Sequence, residues 1–210
     1  MTPVLARIEE AVRQGPRAVE QLLAATEFPH VEGRTVTFLY RGDGQEVALQ
    51  HWIHGLPGHL PFRRLHGSHV WVLQVDVPPG SRMEYKFAVA HFGRAALLRD
   101  PLNAHSARDP FGANSVVYGD GYQPPNWSVE DADARRGTVE TRTLHSQALG
   151  GERELRVYLP ARFRTTRRYP LLVVHDGFDY LQFASLQTVL DNLIHRLEIP
   201  PIVDRKSTRL

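Results

Sequence analysis

Leu171-Leu172-Val173-Val174 constrains the fold more than any other stretch: four apolar residues in a row, between Tyr169-Pro170 and His175-Asp176-Gly177-Phe178. A strand with one wet face alternates polar and apolar side chains. This run does not alternate, so it predicts a strand covered on both faces, as in a parallel sheet. Pro170 is compatible with a strand's first residue. Gly177 can take φ > 0 and leave room for a ligand against the backbone. Ligands of open α/β sheets bind beyond the carboxyl ends of the strands, so any chemistry is expected at His175-Asp176-Gly177.

Upstream of this strand the chain has two other periods. Within residues 1–29, Leu5, Ile8 and Val12, then Val19, Leu22 and Leu23, recur at helix spacing, with Gly15-Pro16 between them. This predicts two short helices forming an N-terminal arm at the domain edge. From Arg34 the period becomes two. Val36, Phe38 and Tyr40 share one face of a strand, as do Trp71, Leu73, Val75 and Val77, and Met83, Tyr85, Phe87 and Val89. Further strands are expected at 47–53, 95–98 and 115–118. Pro78-Pro79-Gly80-Ser81 fits a type II turn. Short strands at this spacing predict an all-β sandwich over residues 30–128, expected to fold better alone than the full chain.

The charged, apolar-poor segment 129–137 reads as a linker. Two strands then flank Gly150-Gly151 as a hairpin, over 139–149 and 155–159. The apolar strand follows, and then Phe183, Leu186, Val189, Leu190, Leu193, Ile194 and Leu197 mark one face of a helix. Pro200-Pro201 ends that helix, and Ile202-Val203 opens another strand. Hairpin, strand, helix, strand is how an α/β sheet begins, here over residues 138–203.

The composition narrows the function. The 210 residues carry 25 basic and 23 acidic side chains, a net +2, which leaves no electrostatic footprint for nucleic acid. There is no cysteine, hence no disulfide, thiolate nucleophile or Cys-based zinc site. No apolar run approaches the ~20 residues of a membrane span, and the N-terminus lacks a signal-peptide core, so cytoplasmic residence is expected. Residues 204–210, Asp-Arg-Lys-Ser-Thr-Arg-Leu, match one translation frame of a common sequencing adapter. They are expected to be a non-native tail, with the gene cut short near Val203.

Two sets of motifs resemble known families. Trp71-Val72-Leu73, Glu84-Tyr85-Lys86-Phe87, Asp100-Pro101-Leu102-Asn103 and Phe111-Gly112-Ala113-Asn114-Ser115 resemble an immunoglobulin-like early-set domain, related to glycogen-type carbohydrate-binding modules. Arg153-Glu154-Leu155-Arg156-Val157-Tyr158-Leu159-Pro160 and Tyr169 to Gly177 resemble the entry into the esterase D and enterochelin esterase family of α/β-hydrolases. The resemblance implies a multidomain chain: an N-terminal immunoglobulin-like sandwich, then the first strands and helix of an α/β-hydrolase sheet. It also implies a serine carboxylic-ester hydrolase acting on a small-molecule ester, siderophore esters among the candidates, without a cofactor.

The family's nucleophile lies in G-x-S-x-G on a strand-to-helix turn, and no serine here has that context. Ser185, in Phe-Ala-Ser-Leu-Gln, is expected inside the predicted helix as a structural residue. His175 and Asp176 precede the place of the nucleophile strand, so the family's order of Ser, acid, His excludes both. No catalytic residue is therefore expected within these residues, and the chain alone is expected to be inactive. What the resemblance does place here is half of an oxyanion hole: the Phe178 N–H, with Gly177 letting the backbone turn.

Other constellations are weaker. His51, His54, His59, His66 and His69 cluster in sequence but read as loop and surface histidines, not a metal site. Trp52, Trp71 and Trp127 are candidates for stacking on a glycan, which supports the alternative of a non-catalytic glycan- or partner-binding module. Asp100-Pro101-Leu102-Asn103 reads as a turn leaving the sandwich.

Overall fold

The computed structural model describes residues 2–148 and 150–207, with the backbone alone over 204–207. The chain divides into two compact units, Met1–Gln123 and Pro124–Leu210. No helix among the described residues is long and apolar enough to cross a membrane.

The first unit begins with helices α1 (Val4–Gln14) and α2 (Pro16–Ala25). Gly15 separates them at φ 107, a backbone angle that suits glycine, and Pro16 opens α2 at the position where its missing N–H has no helical partner to lose. Ten strands follow: β1 (His30–Glu32), β2 (Thr35–Arg41), β3 (Glu46–His51), β4 (His59–Pro61), β5 (Arg63–Arg64), β6 (Val70–Asp76), β7 (Arg82–His91), β8 (Arg94–Leu98), β9 (Ser106–Asp109) and β10 (Gly112–Tyr118). One sheet has the order β1-β2-β6-β5 and a second the order β4-β3-β7-β10-β9, with β8 also paired to β7.

One core lies between these sheets. Val36, Phe38, Tyr40 and Trp71 of the first sheet pack with Val47, Leu49, Met83, Tyr85, Phe87 and Val89 of the second. Phe38 meets Tyr85 edge-on at 5.0 Å between centroids, and Phe62 meets Phe87 at 5.1 Å. These are the inward faces that the period of two predicts. The other face of the first sheet is not wet. Leu39, Val70 and Val72, with Leu65, pack under Val4, Ile8, Val19, Leu22 and Phe28. The two helices therefore form a further layer over the sheet. Leu39, placed among the alternating partners of Val36 and Phe38, is apolar because helices cover it.

Asp100-Pro101-Leu102-Asn103 is a buried polar lock as well as a turn. The Tyr85 hydroxyl donates to Asp100 Oδ2 at 2.6 Å and accepts from Asn103 Nδ2 at 3.0 Å. Asp100 Oδ1 accepts the Leu102 N–H, and the Asp100 N–H donates to Ser115 Oγ. Asn103 also ties the Val116 carbonyl and the His105 N–H. Burial raises the Asp100 carboxyl to about 6, against the lowering effect of the bonds from Tyr85 and Leu102. The Tyr85 hydroxyl is raised too, by burial and by Asp100.

A pH dependence follows from Asp100. Its folded-state value lies above the unfolded 3.8, so the folded chain binds more protons between about 4 and 6. Stability from this group is fully present below the unfolded value and is lost as pH rises through that window, by roughly 2–3 kcal/mol. Urea unfolding of the wild type against Asp100→Asn at pH 4 and pH 7 should show the difference between the two proteins shifting in the variant's favour at pH 7. A constant difference would contradict this account.

The second unit contains a 3-10 turn (Asn126–Ser128), β11 (Thr138–Ser146), β12 (Gly151–Leu159), β13 (Leu171–Val174), α3 (Gly177–Phe183), α4 (Leu186–His195) and β14 (Val203–Ser207). Its sheet has the order β11-β12-β14-β13. The hairpin β11–β12 is antiparallel, β12 and β14 are antiparallel, and β13 runs parallel to β14. β13, α3, α4 and β14 thus make the strand–helix–strand crossover that a parallel pair requires.

β13 ends the sheet, and Leu171 and Val173 are 60% and 54% exposed, the open apolar edge of a sheet without further neighbours. An apolar run reports what a strand can tolerate, while burial needs neighbours. Two expectations change here. The helix expected through 183–197 is two helices, broken where Ser185 takes the left-handed conformation at φ 49, ψ 36, so Ser185 caps α4 and is not interior to it. The most buried residues of α4 are Leu190, Asp191 and Asn192, so its inward ridge is partly polar. The backbone of residues 204–207 pairs with β12 and β13 as part of β14; residues 208–210 lie outside the described residues.

Candidate active site

The candidate site is the turn from β13 into α3, at the carboxyl end of the parallel strand. Asp176 takes the left-handed conformation there, at φ 52, ψ 34, and is the N-cap of α3. The backbone reversal expected of Gly177 is thus made by Asp176, and Gly177 is the buried first residue of the helix. The Asp176 carbonyl accepts the Asp179 N–H at 2.9 Å and the Tyr180 N–H at 3.2 Å. The turn's own bonds therefore leave the Phe178 N–H unused, one of the orphan donors at the start of any helix. His175 and Asp176 are exposed at the same turn.

Arg156 on β12 supports the turn from below. Its guanidinium lies over the Phe178 ring at 4.8 Å. It also donates to Thr141 Oγ1 at 2.6 Å and pairs with Glu154 at 2.8 Å. A cation over an aromatic face is attractive, and here it holds the side chain whose backbone N–H is the candidate donor. Arg156 stands in the quoted Arg-Glu-Leu-Arg-Val-Tyr-Leu-Pro stretch, but a strand arginine carries no sign of what it stacks on.

A second cluster fixes α4 behind the turn. Asp191 Oδ1 accepts the Tyr158 hydroxyl and the Gly137 N–H, both at 2.7 Å. Gln187 Nε2 donates to the Gly137 carbonyl at 2.9 Å. Asn192 Nδ2 donates to the carbonyls of Trp127 and Val129. Burial, and then the Asp191 carboxylate, raise the Tyr158 hydroxyl. The charged segment before β11 is thus strapped to α4 by side chain to backbone bonds. Sequence reasoning missed this cluster. Its one trace is the pair Asp191-Asn192 set within the helix's apolar residues.

The remaining sequence candidates are dispersed. Trp71 is in the core, its indole donating to the Gly42 carbonyl, so it offers no stacking face; Trp52 and Trp127 are exposed. His51 is buried and accepts the Ile53 N–H at Nδ1, while His69 meets Asp43 at 2.6 Å. Among the described residues, no three His, Asp or Glu side chains converge as metal ligands would.

Comparison with known proteins agrees on one relationship. The Esterase family model matches residues 146–204. The enterobactin esterase FES of Shigella flexneri, crystallised with enterobactin, aligns over 83% of this chain and 52% of its own, at TM-score 0.59 and 22% identity. The ferric enterobactin esterase of Salmonella typhimurium aligns over 83% and 53%, at TM-score 0.61 and 19% identity. The uncharacterized protein YjcH of Bacillus subtilis is 29% identical over 65 residues, 31% of this chain and 27% of YjcH. The chain thus spans about half the length of the enterobactin esterases. It has their fold over most of its residues, and its segment 146–204, which holds the β13–α3 turn, matches the Esterase family model.

Proposed function

We propose that this chain is the N-terminal portion of a serine carboxylic-ester hydrolase of the enterochelin esterase type, with a siderophore-like ester as substrate. The observation that carries the reading is the β13–α3 turn: a parallel strand inside the matched segment ends in a helix whose Phe178 N–H has no part in the turn's own bonding. In such hydrolases one oxyanion donor follows the nucleophile and the other comes from an earlier strand's loop. Phe178 fits the earlier donor. The exposed apolar residues of β13 support the same reading, since further strands and helices of a hydrolase sheet would cover them. The Shigella structure was determined in the presence of enterobactin; the idea that a related ester is the substrate here rests on shared fold.

No serine of the 210 residues stands in a G-x-S-x-G context, so the chain by itself should give no p-nitrophenyl acetate turnover sensitive to a serine-directed inhibitor. Such turnover would refute the assignment of the nucleophile elsewhere. The donor is tested in a complete gene product. Proline is tolerated in the first turn of a helix, so Phe178→Pro removes the N–H while keeping α3. It should lower kcat about 10²–10³-fold, the usual cost of one oxyanion donor. Phe178→Leu, which keeps the N–H, should retain most activity. Equal losses in both variants would argue for a packing role.

A further inference from the structure

A shallow cleft of about 620 Å³ opens on the outer face of the second sheet of the first unit, within the size range of small-molecule sites. Trp52 and Phe111 line it, 56% and 87% exposed, together with Ile53 and Leu97. Both aromatic residues sit in bonded turns. The Ile53 N–H donates to the buried His51 Nδ1 at 3.1 Å, which fixes the backbone on the far side of Trp52. The Phe111 N–H donates to Asp109 Oδ1 at 2.8 Å. Large apolar side chains held out on ordered turns are a costly arrangement unless something covers them.

The charges of the cleft narrow what that is. Arg82 donates to Glu84 Oε1 at 2.8 Å, and Asn114 Nδ2 bridges Glu84 Oε2 at 2.8 Å and Asp109 Oδ2 at 3.0 Å. All four oxygens of the two carboxyl groups therefore already accept a bond. Lys86, between them and Leu97, has no ion-pair partner among the described residues. One unpaired ammonium on an apolar, aromatic-walled surface favours a flat ring bearing an acidic oxygen. A sugar would instead need several acceptors around its hydroxyl groups, and the two carboxyl groups here are already drawn into bonds with Arg82, Asn114 and the Phe111 N–H.

The geometry points to this cleft as a binding site for an aryl carboxylate, its ring against Trp52 and Phe111 and its acid on the Lys86 ammonium. Every residue involved lies in the first unit, so the inference stands apart from the hydrolase reading. NMR titration of the full chain with 2-naphthoate tests it, with cyclohexanecarboxylate and maltotriose as comparison ligands. Naphthoate should shift the Trp52 indole N–H saturably, at a Kd of about 1 mM. Cyclohexanecarboxylate should bind at least about tenfold more weakly, and maltotriose should leave that signal unmoved. Lys86→Gln should weaken naphthoate binding about tenfold while Lys86→Arg retains it. Read on the Phe111 and Lys86 backbone amides, which line the same cleft, Trp52→Ala should abolish saturation and Trp52→Phe preserve part of it, with the Trp71 indole signal unchanged as a check on the fold. An affinity indifferent to Lys86→Gln, a shift of the Trp52 signal by maltotriose, or no saturable naphthoate binding would each overturn the proposal.

Discussion

A chain lacking residues 2–26 is expected to lose the cooperative fold of its first unit. The deletion removes α1 and α2 and uncovers Leu39, Leu65, Val70 and Val72, which are buried against them. Burying an aliphatic side chain is worth roughly 1.5–3 kcal/mol, so four cost about 6–12 kcal/mol as an upper estimate. A domain's whole stability is about 5–15 kcal/mol. The deletion is therefore expected to exhaust it, although every strand of both sheets remains. Hydrogen exchange of the β2 and β6 amides should fall from strong protection to nearly none, and limited proteolysis should cut within those strands. Retained protection in the shortened chain would mean that the first sheet tolerates a wet outer face. The same experiment bears on the expectation that residues 30–128 fold better alone than the full chain, since that piece has no cover for Leu39.

The second large effect is expected at Asp191. In Asp191→Ala both the Gly137 N–H and the Tyr158 hydroxyl lose their acceptor. Each buried donor left unsatisfied costs about 1–3 kcal/mol, so the second unit should lose about 2–6 kcal/mol. Both bonds fall on the same oxygen, Oδ1, which sets up a sharp comparison. Asp191→Asn keeps that carbonyl oxygen and should keep most of the stability; Tyr158→Phe should cost about 1 kcal/mol. The double variant Asp191→Ala with Tyr158→Phe should cost less than the sum of the two, because the pair acts as one network. Urea unfolding followed by the exchange of β12 amides reads all four. If alanine and asparagine behave alike, the bonds at Oδ1 do not hold α4 in place.

The two clusters differ in how readable they are. Tyr85 lies on a strand face defined by period two, and its burial follows from that pattern alone. Asp100 and Asn103, which saturate its hydroxyl, sit in a segment whose residue types announce only a turn. A turn-forming Asp and a buried Asp have the same local sequence; which one it becomes depends on the strand that passes beneath it. Tyr158 and Asp191 are 33 residues apart, and nothing local to either names the other.

The elements themselves follow from local chemistry. Helix spacing with a Gly-Pro break yields α1 and α2, alternation yields β2, β3, β6 and β7, and Gly150-Gly151 yields the β11–β12 hairpin, because side-chain direction along a strand or helix repeats with the backbone. The absence of a serine elbow is likewise a fact of residue order. Other features belong to contacts between distant segments. That α1 and α2 roof a sheet, that the left-handed residue of the candidate turn is Asp176 and not Gly177, that Arg156 stacks on Phe178, and that the most apolar strand stands at an edge all depend on which surfaces meet. Periodicity tells a side chain which way to point, but only the assembled layers decide whether anything is there to receive it.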